Sequence, residues 1–285
     1  MSILNAISFD IEDWFQVENL KEVISVKSWE KCELRVVTNT KKILRLLDQH
    51  QTRATFFVLG WIAEKCPTLV EDIANGGHEI ASHGYGHELI YNTTPEAFHA
   101  DIKRSKDILK SITGKPVVGY RAPSFSITPQ ADWALDVLKS LNFVYDSSVF
   151  PTSFHNRYGF NGASRSPFRF DNGLVEMPLS TFRIWGANIP IAGGGYFRLF
   201  PFSWFRYFYK RLNSQGTSII FYLHPWELDP GQPRVNVRFD YRLRHYINLK
   251  KTEDRLDRLL SEFNFIPLAE LAEQYFPGTI HEKGL

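Results

Sequence analysis

Short apolar, β-prone runs alternate with amphipathic stretches along most of this chain. The runs fall at residues 3–9, 54–58, 78–81, 117–120, 143–145, 174–179, 182–185 and 218–223. Between them, apolar residues recur every three or four positions, as at Ile43, Leu44, Leu46 and Leu47, or at Phe98, Ile102, Leu109 and Ile112. Start and stop signals frame the helical stretches. Thr94-Pro95-Glu96 reads as an N-cap with proline in the first turn, and Gly114 closes the same helix. Thr128-Pro129 repeats the start signal, and further helices are expected over 38–50, 67–74, 201–213, 252–263 and 268–276. Strand and helix in alternation predict an α/β sheet covered by its crossover helices, and six or seven strands favour a barrel, complete or distorted, over a doubly wound sheet.

With 285 residues, 44% of them hydrophobic, the chain is long enough to bury a large core. Its formal net charge is +2 and its basic residues are scattered, so no electrostatic footprint for nucleic acid is visible. Cys32 and Cys66 are too few for a disulfide framework and read as reduced thiols. The first ten residues lack a basic and apolar leader pattern, and no apolar run is long enough to span a bilayer, so a cytoplasmic protein without a transmembrane segment is expected. Aromatic residues are densest between Tyr196 and Tyr209, which reads mostly as core, with a sugar platform or a membrane-facing helix as the lesser reading. The stretch 147–172, rich in Ser, Pro, Asn, Gly and Arg, reads as a loop bordering a site.

Conspicuous polar residues sit just beyond the apolar runs. Asp10, His83, Arg121, Asp146 and His224 each follow one. Any one alone reads as a cap or loop residue, but five at the same ends of strands match the way barrel enzymes assemble a site. His83 and His87, four apart in Ser82-His83-Gly84-Tyr85-Gly86-His87, can reach one metal ion, although the spacing is weak by itself. A carboxylate from the acidic stretch Asp10-Ile11-Glu12-Asp13 would complete the set. Zinc held by two imidazoles and a carboxylate keeps positions open for water and a carbonyl oxygen, which suits hydrolysis of an amide or ester. A second carboxylate can take the proton from water, Arg121 can keep it ionised, His224 can act as general acid, and Asp146 can orient the His224 ring.

Taken together, these residues resemble the polysaccharide deacetylases of the NodB-homology type, similar to carbohydrate esterase family 4. Ser82-His83 with His87, Arg121-Ala122-Pro123, Asp146-Ser147-Ser148 and Leu223-His224 follow one another in the order of that family's motifs. The resemblance implies a distorted (β/α) barrel and removal of N-acetyl groups from an amino-sugar polysaccharide or oligosaccharide precursor, with zinc or another divalent metal as cofactor. It implies Asp10 as base, steadied by Arg121, and His224 as acid. Phe-Asp-Ile-Glu-Asp replaces the usual Asp-Asp pair, so the metal carboxylate is either Asp13, the preferred candidate, or Glu12. The family tyrosine whose backbone N–H binds the oxyanion is replaced by Ser124 or Phe125. The segments Asp-Ile-Glu-Asp-Trp-Phe, Gly-Gly-Gly-Tyr-Phe-Arg and Leu-His-Pro-Trp-Glu resemble the branch from bacterial exopolysaccharide loci. That implies a deacetylase barrel over 1–225, interleaved from about 194 with a C-terminal extension occupying 226–285. Two other readings remain at this stage: a metal-independent amidase similar to allantoinases, and an inactive carbohydrate-binding homologue.

Overall fold

The structure, a computed structural model, describes residues 3–152 and 162–280. One sheet organises them. Its strands are β1 (Asn5–Ile11), β2 (Thr55–Val58), β3 (Glu79–Ser82), β4 (Gly119–Tyr120), β5 (Tyr145–Asp146), β6 (Phe168–Arg169), β7 (Val175–Glu176), β10 (Ile220–Leu223) and β11 (Phe265–Ile266). The order is β10-β1-β2-β3-β4-β5-β7-β6, curled as a half-barrel, and β11 pairs with the start of β1 at Asn5 and Ala6. All neighbours run parallel except β6 against β7, so the expected distorted (β/α) barrel is found as an open one. A separate hairpin joins β8 (Thr181–Ile184) to β9 (Ala187–Pro190).

Parallel strands need covered crossovers. These are α1 (Val36–Gln49), α2 (Gly60–Lys65), α3 (Pro67–Asn75), α4 (Pro95–Thr113), α5 (Trp133–Ser140), α6 (Gly194–Leu199) and α7 (Phe202–Ser214), followed by α8 (Phe239–Tyr246), α9 (Thr252–Glu262) and α10 (Leu268–Tyr275). The capping signals around α4 work as read: Thr94 Oγ1 accepts the N–H of Ala97, and Gly114 takes the left-handed conformation that ends the helix. Phe98, Ile102 and Leu109 bury the inner stripe of that helix, each contributing about 1.5–3 kcal/mol by leaving water.

Strand β1 sets the geometry of everything that follows. Ile7, Phe9 and Ile11 point outward into the core beneath the helices, while Ala6 joins the core inside the curl. The two-residue period therefore aims Ala6, Ser8 and Asp10 at the interior.

Several local expectations shift. Thr128-Pro129 opens a turn, and α5 starts only at Trp133. Gly193-Gly194-Gly195 is not wholly a loop, because α6 begins at Gly194. Helix α8 lies in what reads as a proline-rich loop, and its sequence, Phe-Asp-Tyr-Arg-Leu-Arg-His-Tyr, hides an apolar stripe among charges. The middle of the irregular stretch, 153–161, lies outside the described residues. No described helix is long and apolar enough to cross a membrane.

Candidate active site

The C-terminal ends of the strands bring the polar residues together. Asp10 is the penultimate residue of β1, and Asp146 closes β5. His83, Arg121 and His224 directly follow β3, β4 and β10. Of these, Asp10 and His224 line a cavity of about 710 Å³, together with Glu12, His87, Ser124 and Tyr241 among others.

Glu12, His83 and His87 form a cluster whose ligand atoms all lie within 4.8 Å of one another. Glu12 Oε1 stands 2.9 Å from Nε2 of both imidazoles. His83 donates its Nδ1–H to the carbonyl of Arg121 at 2.8 Å, which leaves Nε2 with its lone pair toward the carboxylate. Two imidazole nitrogens facing one carboxylate make a ligand set that suits a cation, and these three residues could hold one. Burial alone would raise the Glu12 pKa, but His87 and His224 outweigh it and hold the carboxyl well below its ordinary value.

Asp13, the preferred candidate, lies outside this cluster. Its Oδ2 accepts the backbone N–H groups of Arg35 and Val36 at 2.7 and 2.9 Å, at the start of α1, and its Oδ1 accepts Trp14 N–H at 2.8 Å. Parity explains the outcome. Glu12 lies two residues after Asp10 and keeps its inward face, whereas Asp13 turns with Ile11 toward the helices. Burial against these donors pushes the Asp13 carboxyl up to about 6.

Arg121 is fully buried, a placement that costs several kcal/mol unless its charge and donors are matched. They are matched. Nη1 reaches Asp10 Oδ1 at 2.7 Å and Ser8 Oγ at 2.8 Å, Nη2 reaches Ser147 Oγ at 2.9 Å, and Nε reaches Ser147 O at 3.1 Å. The guanidinium also lies over the Phe57 ring, 4.1 Å from its centroid.

Asp146 does not orient His224. It accepts from Ser148 Oγ at 2.6 Å, and that hydroxyl in turn accepts Ala122 N–H at 2.8 Å. Asp146-Ser147-Ser148 thus cradles the Arg121 loop from below. Burial lifts Asp146 to about 6, and burial together with the nearby Asp146 carboxyl raises Glu176 well above its ordinary value. The partner of His224 is Glu227, whose Oε1 meets Nδ1 at 2.8 Å. The other nitrogen, Nε2, faces Asp10 Oδ2 at 3.9 Å and Glu12 Oε1 at 3.8 Å. Burial alone would lower this imidazole, but Glu12, Glu227 and Asp10 together raise it to about 9.

The His83–His87 segment is a loop rather than a helical turn, with Gly84 and His87 in left-handed conformations. Asp101 of α4 clamps it by accepting Tyr85 N–H at 2.7 Å and Gly86 N–H at 3.1 Å. Neither Asp101 nor Glu227 stands out in the sequence, since an acid on a helix usually reads as a solvated charge. Ser124 and Phe125 carry consecutive positive φ angles of 50° and 54° at the cavity wall, an uncommon conformation for side-chain-bearing residues. Phe125 N–H is engaged by Ala122 O, so Ser124 N–H is the candidate oxyanion donor of the two.

Comparison with known proteins divides most of the chain into two matched segments. Residues 28–145 match the polysaccharide deacetylase family profile, and residues 147–273 match a domain of unknown function, DUF3473. A peptidoglycan-N-acetylglucosamine deacetylase of Bacillus cereus is 38% identical over 98 residues, covering 34% of this chain and 36% of that protein. A chitooligosaccharide deacetylase of Rhizobium leguminosarum bv. trifolii is 33% identical over 104 residues, covering 36% and 46%. The match thus spans less than half of either relative. Among solved structures, a putative polysaccharide deacetylase from Mycobacterium smegmatis superposes with a TM-score of 0.64 at 19% identity, covering 96% of this chain and 91% of the other. A pseudoenzyme of the CE4 family from Bacillus anthracis gives 0.50 at 10% identity, covering 95% and 65%, and both likenesses concern the fold. The histidine pair and Arg121 lie inside the deacetylase profile, while Asp10 and Glu12 precede it and His224 follows it. By the profile match over 28–145 and by its fold, the chain carries a polysaccharide deacetylase domain.

Proposed function

We propose that this protein is a metal-dependent N-deacetylase acting on N-acetylhexosamine residues of an exopolysaccharide or its precursor. The observation that carries the reading is convergence: Asp10 of β1, Glu12 just after it, His87 after β3 and His224 after β10 line one cavity, with His83 against Glu12 and Arg121 against Asp10. A divalent cation such as zinc, held by Glu12, His83 and His87, would supply the Lewis acidity that amide hydrolysis requires.

The protein's own groups divide the remaining work. Asp10, paired with Arg121 through Oδ1, accepts a proton from the attacking water through its second oxygen. Ser124 N–H borders the cavity where negative charge develops on the acetyl oxygen. His224 presents Nε2 to the same space and protonates the departing amine, so acetate and a free amino sugar leave. Aromatic side chains around the opening, among them Tyr196, Tyr222 and Tyr241, offer faces for sugar rings. The partly buried thiols Cys32 and Cys66, which form no disulfide, favour a reducing compartment, and with it a cytoplasmic precursor as substrate.

The test is acetate release from N-acetylglucosamine oligosaccharides and from exopolysaccharide precursors. Wild-type protein should contain about one zinc per chain and lose turnover on chelation. Asp10→Asn and His83→Ala should each abolish acetate release. Unchanged turnover in both variants would overturn the assignment, and turnover without any metal would favour the allantoinase-like reading.

A further inference from the structure

The cavity wall contributed by the segment of unknown function contains a buried charged chain with no counterpart among the expected site residues. Glu227 is 1% exposed, and its Oε1 accepts both the His224 backbone N–H at 3.1 Å and the ring Nδ1–H at 2.8 Å. Its Oε2 meets Arg198 Nε at 2.7 Å. Arg198 is itself 2% exposed, and its Nη1 donates to the carbonyls of His245 and Ile247 at 2.9 Å each. These bonds tie the pair to the end of α8.

Two further contacts fix the arrangement. A Cβ built on Gly194 would lie 1.9–2.1 Å from the Glu227 carboxyl atoms, so only glycine leaves room for that carboxylate. Trp226 stacks on His224 with centroids 5.3 Å apart and on His245 at 4.4 Å, closing the face of the imidazole. The motifs Gly-Gly-Gly-Tyr-Phe-Arg and His-Pro-Trp-Glu are therefore two halves of one device, with the glycine that admits the carboxylate and the arginine that holds it on the first, and the imidazole and carboxylate on the second.

We infer that Glu227 is the positioning residue of His224, with Arg198 and Gly194 as its supports, and that the segment matched by DUF3473 thereby completes the active site. The inference rests on the deacetylase reading. Asp146, committed to Ser148 and the Arg121 loop, leaves this task to Glu227. A carboxylate on one ring nitrogen fixes which way the other points, and losing such a partner commonly lowers activity about 10–100-fold.

The test is a double-mutant cycle on acetate release. Glu227→Ala should lower kcat about 10–100-fold with KM within twofold, and it should change nothing further once His224→Ala is present. Because Glu227→Ala also strands the Arg198 charge, Gly194→Ala serves as the second variant: it keeps every polar group and displaces only the carboxylate, so it should lower kcat in the same way. Nuclear magnetic resonance supplies a readout independent of turnover. The His224 Nδ1–H proton, sheltered by Glu227, should be observed in wild type and lost in Glu227→Ala. If the effects of Glu227→Ala and His224→Ala multiply, or if the protected proton persists without the carboxylate, the inference fails. If wild type releases no acetate while the proton signal behaves as expected, the substrate reading fails and the positioning role stands.

Discussion

At the scale of single residues, a one-position difference just after β1 separates the candidate metal cluster from a structural cap. Glu12 and Asp13 are adjacent carboxylates, both nearly fully buried, yet they face opposite sides of the strand's path. Glu12→Ala should therefore lose bound zinc, measured by elemental analysis. Asp13→Ala should keep the metal but lower stability by about 1–2 kcal/mol, because the first N–H groups of α1 lose their acceptor; urea denaturation reads the difference. The two variants exchange outcomes if Asp13 is the ligand. The parity argument is available from the sequence, since Asp10 and Glu12 share a face in any extended run. Asp101 was not legible at all, because its role depends on α4 lying beside the histidine loop. Asp101→Ala should free Tyr85 N–H and Gly86 N–H and weaken zinc binding about 10–100-fold in chelator competition.

Among the elements, α8 departs most from what its composition suggests. Its His245 is buried with its Nε2 at 2.8 Å from Gln232 Oε1, and the Gln232 amide donates to Trp226 O and Asp229 O. That fixes Gln232 Oε1 as acceptor and His245 Nε2–H as donor, leaving Nδ1 in a buried place without a partner among the described residues. Burial, with help from Arg198, lowers this imidazole to about 3. The folded state thus binds the neutral ring, and its contribution to stability is complete above the ordinary histidine value and is lost as pH falls from about 6.5 toward 3. At pH 5 the loss amounts to roughly 2 kcal/mol. Urea midpoints of wild type and His245→Gln at pH 7.5 and 5 should differ by that slope, the variant being the flatter; parallel slopes would remove His245 as a source of acid sensitivity. The helix itself was unreadable because its apolar residues are spaced among arginines, and its burial comes from packing against α6 and the cavity rather than from its own pattern.

For the whole molecule, the deacetylase profile over 28–145 is a part of the fold rather than a unit of it. Strand β1 pairs with β10 on one side and with β2 and β11 on the other, so its hydrogen bonds come from both ends of the chain. A fragment of residues 28–145 lacks β1, β10 and β11 and with them Asp10, Glu12 and His224. It should show no cooperative thermal transition in circular dichroism and no acetate release, whereas a fragment that melts cooperatively would mean the profile region folds unaided. What could be read from the sequence was most of the strands and most helices, without β6, β9 and β11, together with the strand-end placement of Asp10, His83, Arg121, Asp146 and His224. Those follow from hydrophobic period, capping and breaker residues, which are local properties of the chain. The partners of these groups were decided by tertiary structure alone. Glu227 rather than Asp146 lies against His224, Asp101 clamps the histidine loop, and Glu12 rather than Asp13 faces the imidazoles. Each such pairing depends on where the curled sheet and its crossover helices set residues far apart in sequence, and no local pattern encodes that distance.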